Sequence, residues 1–155
     1  MSTLAIGKAV PDFKLASTSG ESWSLKGARG HAIVLYFYPK DNTPGCTLEG
    51  QQFAQLAARF KRAEVTILGI SRDTLASHDK FKTKMCFPFE LLSDEDEKVC
   101  KLFDVIREKN MYGRKVIGIE RSTFLIDAAG VLRSEWRKVK VDGHALKVLE
   151  AAQAL

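Results

Sequence analysis

A chain of 155 residues has room for one domain with its own core and too little for two. Its composition, 45% hydrophobic and 28% charged, excludes a disordered tail, a collagen-like repeat and a disulfide-stapled miniprotein. Twenty-four Lys and Arg against nineteen Asp and Glu leave +5, a modest excess that suits solubility and acidic partners and demands no nucleic acid.

In chain order, the start MSTLAIGKAVPDF lacks the basic, apolar and small-residue sequence of a secretory signal. Asp12 to Leu15 and Ser22 to Leu25 flank a Ser-Gly turn signal and predict a hairpin. Ala32 to Tyr38, AIVLYFY, reads as a strand buried on both faces, and it is far too short to span a bilayer. After a loop at Lys40 to Thr43, Phe53, Leu56, Ala57 and Phe60 recur at helical spacing. Val65 to Ile70 is the next central strand, and helices are expected over Thr74 to Met85 and Asp94 to Phe103. Thr123 to Ile126 and Val131 to Trp136 bracket a turn ending at Gly130. Asp142 is the expected N-cap of a last helix whose Leu146 and Leu149 face the core. Buried strands alternating with helices, then an antiparallel hairpin, give the class α/β with a mixed central sheet covered by helices on both faces.

The informative stretch is Pro39 to Glu49, PKDNTPGCTLE, between the buried strand and the amphipathic helix. Thr43 suits an N-cap and Pro44 the first helical position. Cys46 then falls in the first turn, where unpaired N–H groups and the helix dipole favour a thiolate. A free thiol of pKa about 8.5 is only about 3% ionised at pH 7, so such a position decides reactivity. A strand-to-helix turn is also where α/β folds place their sites. On position alone, a space-filling thiol at a helix start fits equally well.

Several sulfur chemistries fail on their neighbours. No second cysteine makes a Cys-x-x-Cys pair, and Gln52 stands where a phosphatase loop needs arginine. His31, His78 and His144 lie near predicted element boundaries without a protease motif and read as exposed or capping residues. Cys46, Cys86 and Cys100 have no zinc-type spacing. Their odd number fits reduced thiols in a cytosol, hence a cytoplasmic location with no membrane partner.

The stretch YFYPKDNTPGCTLE, with the later FPFELLSD and GIERSTFLID, resembles the peroxiredoxins and, within them, the bacterioferritin comigratory protein (PrxQ) subfamily. The likeness covers essentially the whole chain in order. It implies a single domain over residues 1–155 with a thioredoxin-like fold. It also implies thiol-dependent reduction of hydrogen peroxide and organic hydroperoxides, with no metal or organic cofactor. Cys46 matches the peroxidatic cysteine, Thr43 the hydroxyl that contacts sulfur and peroxide, and Pro39 the residue shielding the pocket from water. Arg121 matches the arginine that supports the thiolate and polarises the peroxide, a role suited to a fixed planar fork of donors. Glu49 has two readings, an ion-pair partner of Arg121 or a solvated first-turn carboxylate, and is left out of the catalytic set.

The pattern departs from the subfamily at recycling. Members carry a resolving cysteine five residues after the peroxidatic one or in the following helix, whereas this chain has Gln51 and Lys82 there. Cys86, at the expected helix end, is the candidate resolving cysteine, with a packed, inert thiol as its other reading, and Cys100 reads as core. A one-cysteine cycle reduced by an external thiol competes. Thioredoxin, or glutathione with glutaredoxin, is the expected reductant, and the resemblance leans towards a monomer. Lys80, Lys82 and Lys84 lack a nucleic-acid motif, and Arg133, Arg137, Lys138 and Lys140 read as a solvated basic surface. The rival reading is a thioredoxin-fold redox sensor or binding module without turnover.

Overall fold

The computed structural model describes residues 4–155. In chain order they form β1 (Lys14–Ser17), β2 (Ser22–Ser24), β3 (Ala32–Phe37), α1 (Pro44–Arg62), β4 (Val65–Ser71), α2 (Leu75–Met85) and β5 (Glu90–Ser93). There follow α3 (Lys98–Leu102), β6 (Ile106–Met111), β7 (Arg114–Ile119), β8 (Ser122–Ile126), β9 (Leu132–Trp136) and α4 (His144–Gln153).

The all-apolar run becomes β3 because both its faces are covered. Ile33, Leu35 and Phe37 enter one core with Val99, Cys100, Phe103 and Phe124. Val34, Tyr36 and the following Tyr38 enter the other, with Phe53 and Phe60 of α1, Phe81 of α2, and Val148 and Leu149 of α4. The seven-stranded sheet runs β2-β1-β5-β4-β3-β8-β9. Its centre, β3, β4 and β5, is parallel, while β8 and β1 flank it antiparallel. This is the mixed sheet flanked by helices that the pattern predicts. Parallel β3 and β4 put their carboxyl ends on the same edge, where the chain turns into α1 and α2.

Several elements differ from the sequence reading. The helix expected from Asp94 starts only at Lys98, because the Asp94 carboxylate turns back to accept the Val99 and Cys100 N–H groups at 3.2 and 2.7 Å. Strand β5, four residues long, carries too short a pattern to read. Strands β6 and β7 pair only with each other, and most described side chains of β7 are exposed, so no alternating apolar face announces them. The last helix is entered through Gly143 at φ 73° and not capped by Asp142. That phase buries His144, Ala145, Val148, Leu149 and Ala152, and leaves Leu146 42% exposed instead of facing the core.

Candidate active site

Helix α1 begins where the motif predicts, with Thr43 extended at the N-cap position and Pro44 first in the helix. The Thr43 hydroxyl does not cap it. It donates back to the Lys40 carbonyl at 2.9 Å, so the helix starts with no side-chain cap and no acidic residue in its first turn. The positive end of the helix is therefore left for whatever Cys46 and its pocket present. Cys46 itself is buried, 2% exposed.

Arg121 reaches this turn from the segment between β7 and β8, 75 residues further along the chain. Its Nη2 donates to Cys46 Sγ at 3.4 Å and its Nη1 to Glu49 Oε1 at 2.6 Å. Glu49 is 1% exposed, which overturns the solvated reading. Burial lifts its carboxyl to about 7, although the Arg121 charge and hydrogen bond pull the other way. Glu49 Oε2 has no partner among the described residues, so the Arg121 bond is its principal restraint. Burial alone would lower the Arg121 pKa, but Glu49 and Cys46 outweigh it, and the guanidinium stays charged. It lies across Gly45, where an added Cβ would stand 3.1 Å from Nη2. A larger residue there would press on the guanidinium.

Pro39 stands half-buried just after β3. Between it and Thr43, Asp41 accepts from the Tyr38 hydroxyl at 2.7 Å, from the Ser77 hydroxyl at 2.8 Å and from His78 Nδ1 at 2.7 Å. Burial would raise the Asp41 pKa, yet the bonds to His78, Tyr38 and Ser77, with the His78 charge, hold it below its ordinary value. His78 is fully buried and His144 5% exposed, which corrects their reading as exposed or capping residues. His144 bonds Thr123 Oγ1 at 2.8 Å, and burial, helped by the charges of Lys147 and Arg121, lowers it to about 4. Ligand atoms of Asp41, Asp73 and His78 lie within 4.8 Å of one another, but they are already engaged in hydrogen bonds.

The other two thiols lie in different surroundings. Cys86 is exposed at the end of α2, in a left-handed conformation with φ 55°. Its neighbours touch α1: the Met85 sulfur lies 4.0 Å from Gln51 Nε2, and the Phe87 ring sits on Gly50. Cys100 is fully buried, and burial together with the Asp94 charge pushes its thiol far up. None of the three cysteines is in a disulfide. A groove of about 870 Å³ lined by Arg59, Arg62 and Arg133 lies elsewhere and shares no residue with the Cys46 cluster.

A buried cysteine at an uncapped helix start, paired with a charged guanidinium, suits attack on an electrophile that must take up negative charge. The AhpC/TSA family profile matches residues 6–135. Peroxiredoxin Bcp of Xanthomonas campestris is 52% identical over 151 residues, 97% of this chain and 94% of that protein. The chain belongs to the AhpC/TSA family, among the Bcp/PrxQ peroxiredoxins. Peroxiredoxin Bcp of Bacillus subtilis is 46% identical, covering 96% of this chain and 94% of that one. A solved structure of the X. campestris bacterioferritin comigratory protein, described for its alkyl peroxide reduction activity, superposes with a TM-score of 0.90. It is 50% identical and covers 99% and 98% of the two chains. A Xylella fastidiosa PrxQ structure superposes at 0.93, with 45% identity and coverage of 99% and 98%. This peroxiredoxin is accordingly a thiol peroxidase with the thioredoxin-like fold, acting on peroxide and returned to its reduced form by a thiol.

Sequence reasoning undervalues Glu49, passes over Asp41 and does not place His78 at the site. For Glu49 a signal is available: it lies one helical turn after Cys46, on the face that meets Arg121. For the Asp41–His78 pair no local signal exists, since its members are 37 residues apart.

Proposed function

We propose that Cys46 is the sulfur that attacks peroxide, with Arg121, Thr43 and Pro39 forming its pocket. The observation that carries this is the forked guanidinium, one nitrogen on the sulfur and the other on a buried carboxylate. The Cys46 thiolate forms a bond to the terminal peroxide oxygen as the O–O bond breaks. Sulfur is oxidised by two electrons to the sulfenic acid, and the departing alkoxide or hydroxide takes up a proton to leave as alcohol or water. Negative charge builds on that departing oxygen, so a fixed guanidinium beside it lowers the barrier more than it stabilises bound peroxide. Thr43 spends its proton on Lys40, which leaves its oxygen lone pairs to accept from the peroxide O–H. Pro39, with no N–H, closes the rim of the pocket without offering water a donor.

Recycling follows from thiol attack on the sulfenic acid, forming a disulfide and releasing water, and a second thiol equivalent then restores Cys46. Cys86 is the internal candidate. It is exposed at a helix end, and its neighbours already lie against the second turn of α1. Thioredoxin, or glutathione with glutaredoxin, completes the cycle, and the whole chain works as one monomeric domain in the cytosol, a setting that suits three unpaired thiols.

Peroxide consumption coupled to each reductant tests the assignment. Cys46→Ser is expected to abolish it, and an undiminished rate would remove Cys46 from the site. Peptide mapping after peroxide and thiol blocking is expected to find a Cys46–Cys86 disulfide, absent in Cys86→Ser. A persistent sulfenic acid in the wild type assigns resolution to an external thiol instead.

A further inference from the structure

The segment from Tyr38 to Gly45 separates the end of the sheet from Cys46, and it contains both pocket residues, Pro39 and Thr43. Tyr38 is still held by the sheet, its N–H donating to the Ile70 carbonyl at 3.0 Å. Beyond it the chain leaves regular structure and passes through Asn42 in the left-handed region at φ 60°, a conformation asparagine takes more readily than other non-glycine residues. The Thr43 hydroxyl bonds within the same loop, to Lys40. Two side chains tie this loop to α2: Asn42, whose Oδ1 accepts from the exposed Lys84 Nζ at 3.1 Å, and the buried Asp41.

Asp41 is held on every side. Its carboxylate takes the Tyr38 and Ser77 hydroxyls and the His78 ring, while its N–H donates to Asp73 Oδ2 at 2.8 Å. Asp73 is fixed in turn by the Ser71 hydroxyl at 2.6 Å. His78 extends the chain of contacts into the sheet, with Nε2 2.9 Å from the Leu92 carbonyl of β5. A carbonyl oxygen only accepts, so Nε2 carries a proton. Nδ1 lies 2.7 Å from the Asp41 carboxylate. The result is a buried Asp41–His78 pair, with side chains 4% and 0% exposed, linking β5 and α2 to the catalytic loop.

We propose that Asp41 and His78 form a positioning pair that holds the Pro39–Thr43 loop in register with Cys46, so that peroxide reactivity depends on it although neither residue touches the reacting sulfur. The inference rests on Cys46 being the reacting sulfur. Two reactions of the reduced protein separate positioning from general damage. Peroxide needs the assembled pocket of Thr43, Pro39 and Arg121. Iodoacetamide needs only an accessible, ionised sulfur.

In His78→Gln, and in the isosteric Asp41→Asn, the second-order rate constant with hydrogen peroxide is expected to fall about tenfold or more. The rate constant for iodoacetamide alkylation of Cys46 at the same pH, followed by peptide mapping so that the exposed Cys86 is counted separately, should change less than about twofold. Asp41→Asn still offers Tyr38 an acceptor and should retain more of the peroxide rate than Asp41→Ala, a graded rescue that simple loss of packing would not produce. Cys46→Ser serves as the control, for residual peroxide reduction in that variant overturns the site assignment itself. If Cys46→Ser is inert while His78→Gln and Asp41→Asn keep the wild-type peroxide rate, or lose both reactions in parallel, the positioning role alone is overturned.

Discussion

Replacing Glu49 with glutamine preserves the shape of the side chain and removes only its capacity to ionise. The wild-type carboxyl lies 2.6 Å from Arg121 Nη1 and titrates near 7, lifted by burial. Above that pH an ionised Glu49 grips the guanidinium with a bond charged at both ends, whereas the neutral amide oxygen of the Glu49→Gln variant accepts a bond about half as strong. A loss of about 1.4 kcal/mol in the restraint on Arg121 corresponds to about tenfold in kcat/KM for peroxide at pH 8. Below about pH 6 the wild-type carboxyl is itself protonated and nearly isosteric with glutamine, so the ratio of the two rates should approach one. Stability should show the complementary trend. A carboxyl whose folded pKa is raised from 4.5 to about 7 favours folding below 4.5, and that contribution is lost as pH rises through 7. The full change is about 3 kcal/mol, and Glu49→Gln lacks it. Stopped-flow oxidation of reduced protein and urea unfolding, each from about pH 5 to 9, read both quantities. A rate ratio that stays constant across that range refutes the claim that an ionised Glu49 holds Arg121 for catalysis.

Two further outcomes follow from buried packing. Gly50→Ala should destabilise by about 1–2 kcal/mol in urea titrations, because overpacking outweighs the gain of about 1 kcal/mol in helix propensity. The new methyl would run into the Phe87 ring, which cannot swing aside: it stacks on Phe89 at 5.1 Å and meets Phe81 edge-on at 5.1 Å. A stabilised Gly50→Ala protein would contradict this. His144, lowered from 6.5 to about 4 by burial and by the charges of Lys147 and Arg121, favours folding above 6.5. That contribution is lost as pH falls towards 4, up to about 3 kcal/mol, because the unfolded chain binds the proton more readily. Unfolding free energies of wild type and His144→Asn should therefore converge in acid. Parallel curves would show that His144 is not held neutral in the fold.

How much was legible in the sequence depends on the range over which each feature is decided. The doubly buried β3, the hairpin around Gly130 and the helix starting at Pro44 are set by residues within a few positions of one another, and periodicity and turn chemistry describe them fully. The same holds for the placing of Cys46 in the first turn of α1. Where a cap competes with another partner, local rules fail: the Thr43 hydroxyl turns to Lys40, Asp94 replaces a helical turn, and Gly143 takes the place expected of Asp142.

Arg121 is assigned from its family-like motif, but only the parallel placing of β3 and β4, with β8 paired against β3, brings that residue to the Cys46 turn. Burial belongs wholly to the tertiary level. Glu49 and His144 owe their shifted acidities to the cores that cover them, and His78 meets Asp41 because α2 packs over the carboxyl edge of the sheet. Periodicity says which face of a helix is apolar. It does not say which polar side chains that face will trap, since desolvation depends on what the rest of the chain lays on top.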